Sequence, residues 1–269
     1  MAIARLRSTV RRLWLVVAAL AAGGATVLTG CGDGGSAHSL GTLGPGPARS
    51  TAPAFGPLAD GNGLQPYGDA AWPAYAASPR TTRLSIAASP GGPTVRTMSN
   101  RLPLGAPLTL LVVGKRAGWV QVELPVRPNG TTGWARTSDV RLAGLRYGLA
   151  LERGSHRLQL FDRDRLLRAF TVGIGTRETP TPGGLYYLIE LLRPPDPAGA
   201  YGPYAYGLSG FSTVIHHFNG GDGVIGLHGT NEPTKVGHDV SHGCIRLYNK
   251  DITYLARLLP LGTPIRILA

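Results

Sequence analysis

Cysteine is nearly absent from this 269-residue chain: only Cys31 and Cys244 occur, so at most one disulfide can form. No Cys-x₂-Cys pair and no His-Glu-x-x-His run is present, although seven histidines are, and the usual zinc spacings are therefore missing. Lysine is scarce as well, three against 24 arginines, and no block of five or six like charges appears. The net charge of +12 is spread instead, with four units in residues 1–30, five in 31–145 and three in 146–269. A chain of that kind offers no nucleic-acid-binding tail, and its arginine excess beside abundant Gly, Pro and Ala fits the codon bias of a GC-rich genome better than contact with an anionic polymer. Ser241 lacks a Gly-x-Ser-x-Gly setting, which excludes a nucleophile-elbow serine. No repeat recurs at solenoid spacing.

The N-terminus carries Arg5, Arg7, Arg11 and Arg12 with no acid, followed by apolar or small residues over 13–28. That run is short for a spanning helix, which takes about 20 residues, and its layout predicts a signal peptide over 1–30. Its end, Leu28-Thr29-Gly30-Cys31, resembles the lipobox of bacterial lipoproteins. The resemblance implies cleavage before Cys31, a diacylglycerol on its sulfur, and a protein of the cell envelope held outside the membrane by that lipid. Cys244 then has no disulfide partner, and a lone exported thiol asks for a chemical reason.

Residues 31–80 hold the lipidation cysteine and a stretch rich in Gly, Ala, Pro and Ser without apolar period, which predicts a flexible tether. As a coil it spans roughly 35–40 Å. Residues 81–143 read as a small all-β barrel, with strands expected at 84–87, 94–98, 108–113, 119–124 and 132–135 between Gly, Pro and Asn turns. Gly118-Trp119-Val120-Gln121-Val122 and Gly133-Trp134-Ala135 resemble bacterial SH3-like domains. The resemblance implies either a module that binds wall peptides or a spacer.

Residues 146–269 predict a second, β-rich domain. Strands are expected at 149–152, 157–161, 168–174, 185–190, 213–217, 224–228 and 264–268. A helix over 250–259 is capped by Asn249 and stopped by Pro260. The stretch 192–210 reads as a long loop and supplies tyrosines, Tyr204 and Tyr206 among them, as candidates to pack on a substrate. His216 and His217, neighbours on an expected strand, should face opposite sides. His156 falls in an expected hairpin and needs no function.

Chemistry concentrates between His228 and Cys244, 16 residues apart. A thiol attacks as thiolate, and free cysteine has a pKa of about 8.5. A neighbouring histidine can take the proton and hold an ion pair. Gly243 lets the backbone approach a substrate, so the Gly243 and Cys244 amides are candidate oxyanion donors. Arg246 is a candidate clamp for a substrate carboxylate.

The runs His228-Gly229-Thr230 and Ser241-His242-Gly243-Cys244-Ile245-Arg246-Leu247 resemble the signature of the YkuD-type L,D-transpeptidases, and Thr179-Pro180-Thr181-Pro182-Gly183-Gly184-Leu185-Tyr186 resembles a second element of that family. The resemblance implies a mainly β catalytic fold over 146–269 and a Cys244 acyl-enzyme formed on the third residue of a peptidoglycan stem. Release of D-alanine and a 3→3 crosslink would follow. His228 then matches the general base, Gly229 the carbonyl that orients it, and His242 the second motif histidine. Peptidoglycan stems are the implied partners, carbapenem-type β-lactams the implied inhibitors, and no cofactor or metal is called for. An L,D-carboxypeptidase that trims tetrapeptide stems shares every step up to the acyl-enzyme. A non-catalytic wall-binding lipoprotein would not need the intact Cys and His residues.

Overall fold

The computed structural model describes residues 75–218 and 221–269. The leader, Cys31 and the tether up to residue 74 lie outside the described residues. Short strands dominate, as the frequent β-branched and aromatic runs between turn residues lead one to expect.

The N-terminal lobe is one sheet of seven strands, ordered β3-β2-β6-β5-β4-β1-β7. They are β1 (Tyr75–Pro79), β2 (Arg83–Ala87), β3 (Thr94–Ser99), β4 (Leu110–Arg116), β5 (Trp119–Glu123), β6 (Thr132–Arg136) and β7 (Val140–Gly144). The five expected strands are present with ends shifted by a few residues. The tether was drawn too long, because Tyr75–Pro79 is a strand that pairs with both β4 and β7. Its small residues carry almost no period; Ala76 and Ala77 are buried only because neighbouring strands cover them.

The C-terminal lobe continues with β8 (Tyr147–Glu152), β9 (Arg157–Asp162), β10 (Arg165–Thr171), β11 (Ile174–Gly175), β12 (Gly184–Leu192), β13 (Ala205–Phe211), β14 (Val224–His228), β15 (Asp239–Ser241), β16 (Ile245–Arg246), helix α1 (Asn249–Leu258) and β17 (Pro264–Leu268). Eight of these strands form a sheet in the order β10-β9-β8-β17-β12-β13-β14-β16, and β11 pairs with β15. The chain is mainly β, as expected.

Two expectations fail together. The stretch 192–210 is not all loop, since β13 occupies its end, and 213–217 is not a strand. Gly207, Ser209 and Gly210 look like turn residues, yet β13 is buried along its whole length between β12 and β14. Side chains of β12 cross over it: a Cβ on Gly210 would meet the Tyr186 ring at 2.5 Å, and one on Gly207 would meet Glu190 at 2.9 Å. His216 and His217 are both exposed on the irregular segment that follows, so the opposite-faces argument does not apply.

Strand β12 serves both lobes. Tyr186 and Leu188 enter the C-terminal core, whereas Tyr187 and Ile189 enter the core of the N-terminal lobe. Period-2 alternation makes this possible, and the run Leu-Tyr-Tyr-Leu-Ile shows the continuous apolar character of a strand covered on both faces. The Tyr187 hydroxyl donates to the Glu123 carbonyl at 3.1 Å, and the Ser209 hydroxyl donates to the Glu123 carboxyl at 3.1 Å. Helix α1 closes the other face through Ile252 and Leu255, both fully buried.

Candidate active site

The sheet brings the two ends of the His/Cys stretch side by side. β14 ends at His228 and pairs in parallel with β16, which starts directly after Cys244. Between the two side chains lies Gly226. A Cβ placed there would sit 3.2 Å from His228 Cδ2 and 3.4 Å from Cys244 Sγ, so the imidazole and the sulfur face each other across a residue with no side chain. The Gly226 N–H donates to Sγ at 3.3 Å. Sequence reasoning passed over this glycine, because nothing local distinguishes it from a packing glycine in a strand.

His228 is fully enclosed and its Nδ1 lies 2.6 Å from the Gly229 carbonyl. That contact calls for a proton on Nδ1, which leaves the Nε2 lone pair free. Burial pushes the imidazole pKa down to about 4, opposed by the Gly229 bond and assisted by the Arg246 charge. Burial likewise raises the Cys244 thiol, and the Gly226 N–H and Arg246 only partly offset it. Both directions favour the uncharged thiol and imidazole over the ion pair that a neighbouring histidine can hold. Low-dielectric surroundings disfavour both charged forms before a substrate arrives.

The Cys244 turn is held from several sides. Ser241 Oγ donates to the Cys244 carbonyl at 2.6 Å and accepts the Gly243 N–H at 3.1 Å. Gly243 has φ +114°, a conformation that favours glycine. Thr181 Oγ1, buried, accepts the Gly175 N–H at 2.9 Å and donates to the Gly243 carbonyl at 2.8 Å. Thr179 Oγ1 donates to the Ser241 carbonyl at 3.0 Å. The Thr-Pro-Thr-Pro run is thus the cradle of the cysteine turn.

Residues 147–267 match the family model of the L,D-transpeptidase catalytic domain, YkuD. This segment is a YkuD domain. Putative L,D-transpeptidases YkuD of Bacillus licheniformis and of Bacillus subtilis are each 36% identical to it over 121 residues, which is 45% of this chain and 65% of the relative. The chain thus spans about two thirds of the length of these curated relatives. Among solved structures, an L,D-transpeptidase from Mycobacterium smegmatis is a distant likeness. It has 17% identity, 56% of this chain and 91% of that chain covered, and a TM-score of 0.38.

The rest of the YkuD domain departs from the sequence expectations at several side chains. Tyr206 is not available to a substrate: it is buried, and its hydroxyl donates to the Leu255 and Leu259 carbonyls at 3.3 and 2.9 Å. Its place on a central strand rather than in a loop is the reason. Tyr204 packs against the domain core with the Arg193 guanidinium 5.5 Å from its ring centroid. The aromatic that does reach the site is Tyr201, whose ring lies edge-on to His228 at 4.9 Å. Arg246 Nη1 is bonded to Glu232 at 3.0 Å, and the same carboxylate binds Lys235 at 2.6 Å, so the clamp is already occupied by an acid of the chain. Of the two amides expected as oxyanion donors, that of Gly243 is already spent on Ser241. His242 is exposed and stacks on Phe218 at 5.5 Å between centroids.

Asn249 does not cap its helix. It is the first helical residue, and its Oδ1 accepts the Thr230 N–H at 2.8 Å, against Gly229 and Gly202. The carboxamide fixes the turn that carries the Gly229 carbonyl, using space that both glycines leave open. His156 is not idle either, since its Nε2 lies 2.8 Å from Asp239 and ties the β8–β9 turn to β15.

Proposed function

We propose that the protein is a peptidoglycan L,D-transpeptidase that makes 3→3 crosslinks through an acyl-enzyme on Cys244. The observation that carries this reading is the meeting of the Cys244 thiol and the neutral His228 imidazole across Gly226, inside a YkuD domain. In the first half-reaction His228 Nε2 takes the thiol proton as sulfur attacks the carbonyl of the stem's third residue. The Cys244 amide donates to the oxyanion. The C–N bond to the terminal D-alanine then breaks, and the imidazolium returns its proton to that amine. In the second, a side-chain amine of a neighbouring stem attacks the thioester, giving its proton to His228, and the thiol is regenerated. A carbapenem fits the same first half-reaction, since opening of its ring acylates the thiol.

Mass spectrometry of muropeptides incubated with the enzyme tests the reading. We expect 3→3 dimers with one D-alanine released per crosslink, and neither with Cys244→Ala. Release of D-alanine without dimers in excess acceptor would make the enzyme an L,D-carboxypeptidase instead. The SH3-like reading of the N-terminal lobe and the lipid anchor on Cys31 complete the proposal: an envelope enzyme tethered to the membrane beneath its substrate. Radiolabelled palmitate should enter wild-type protein and not Cys31→Ser.

A further inference from the structure

Arg127 stands outside the YkuD domain, in the turn that joins β5 to β6, yet its guanidinium is spent on the catalytic lobe. Nη1 donates to the Ser212 carbonyl at 2.8 Å, and Nη2 donates to the carbonyls of Ile215 at 3.1 Å and Asp222 at 2.9 Å. The same group lies 5.0 Å from the centroid of the Phe211 ring. Two residues on, the Asn129 carboxamide pairs with the Phe211 backbone as a strand would, donating to its carbonyl at 2.8 Å and accepting its N–H at 2.9 Å. One turn of the N-terminal lobe therefore grips the chain where it leaves β13 and again where it returns towards β14.

The gripped segment needs such a partner. Residues 213–217 form no ladder and Phe218 pairs only with Gly221 in an isolated bridge, so the irregular backbone carbonyls before it must find donors elsewhere. A guanidinium offers five donors in a rigid fork, which suits three carbonyls converging from one loop. The segment's base is closed by the Ser212 N–H donating to the Gly223 carbonyl at 2.8 Å. Gly223, at φ +68°, makes a turn so tight that a Cβ there would collide with the Ile215 carbonyl.

This segment borders the site on its far side. Phe218 stacks on His242, two residues from the nucleophile, and β14 starts at Val224 and ends at His228. We propose that Arg127 is a positioning residue of the active site. It holds 212–218 as a wall against which the substrate lies, so that the N-terminal lobe is a working part of the cleft rather than a spacer. The substrate part of this inference rests on the transpeptidase reading above.

Hydrogen exchange and kinetics on the full-length protein separate the two. In Arg127→Ala, amides of 213–218 should exchange at least about tenfold faster, while those of β14 and α1 stay within about twofold of wild type. The KM for a stem tetrapeptide donor should rise about tenfold with kcat changed less than about threefold, because the wall binds and does not react. Arg127→Lys keeps the charge but loses the fork, so it should fall between the two on both measures; it carries the comparison if the alanine variant does not fold. Unchanged exchange over 213–218, or the same acceleration across the whole lobe, overturns the positioning role. A mobilised segment with unchanged KM overturns the wall. Absence of turnover by the wild type would instead count against the transpeptidase reading, and the exchange data would still decide the role of Arg127.

Discussion

Gly226 shows how much of the chemistry hangs on a single atom's absence. Its missing Cβ leaves the His228 ring and the Cys244 sulfur facing each other, and its N–H is a donor to the sulfur. Gly226→Ala should place a methyl between the two groups and lower the acylation rate by about 10²-fold or more, as misplacement near 1 Å does. A variant with wild-type acylation would mean that the proton takes another route. The pH profile provides a second check at this scale. Because burial holds the His228 imidazole at about 4, the base stays unprotonated well below the ordinary histidine range. The acid limb of kcat/KM should therefore fall near pH 4 rather than near about 6.5. On the alkaline side, burial of Cys244 means that alkylation by a small reagent keeps rising with pH past the usual thiol midpoint. An acid limb centred in the ordinary histidine range would show an imidazole open to water, contrary to the structure. The motif residues themselves were legible in the sequence. Gly226 and the role of Asn249 were not, because their importance lies in what stands opposite them; Tyr201 was one of three candidate loop tyrosines, and nothing local singled it out.

Among elements, β12 is the one on which the two lobes depend. Tyr187 is wholly buried in the N-terminal core although it belongs to the YkuD domain, and its hydroxyl bonds the Glu123 carbonyl. Tyr187→Ala should cost about 3–5 kcal/mol through the cavity it leaves, and the loss should appear in both lobes as one lowered unfolding transition. Two separate transitions, with only one moved, would show that the lobes fold independently. The position of β12 was readable, and its uninterrupted apolar run already hinted at cover on both faces. The covering element was not readable, since no local pattern names a partner. β13 was missed for a related reason. Its glycines answer to the Tyr186 and Glu190 side chains crossing it, so the strand's own period is silent.

At the scale of the whole molecule, Glu123 sits where the lobes meet. Burial raises its carboxyl pKa to about 8, with the Ser209 bond acting the other way, so the folded protein keeps it protonated at neutral pH. The unfolded chain ionises near the ordinary value of 4.5. Between those values the unfolded state binds fewer protons, and stability falls as pH rises, by a few kcal/mol in order of magnitude. Glu123→Gln preserves the shape and an acceptor for Ser209 without the ionisation. Its Tm advantage over wild type should be small at pH 5 and grow towards pH 8. A constant difference across that range would mean that water reaches the carboxyl. Tyr186 and Tyr187, the other titratable groups beside it, ionise far above this window, since burial raises both.

The sequence by itself determined the family of the C-terminal domain and the mainly β architecture. A cysteine two residues after one histidine and 16 after another, with glycines at the turns, carries its meaning in residue type and spacing. Those are properties of the chain before it folds. The neutral state of the Cys–His pair, the occupation of Arg246 by Glu232, the burial of Tyr206 and the reach of Arg127 into the catalytic lobe were decided only by the tertiary structure. Each depends on desolvation or on a partner distant along the chain: Arg127 and Ile215 are 88 residues apart. Spacing within a motif records short-range geometry, whereas dielectric and long-range pairing exist only once the sheets have closed on one another.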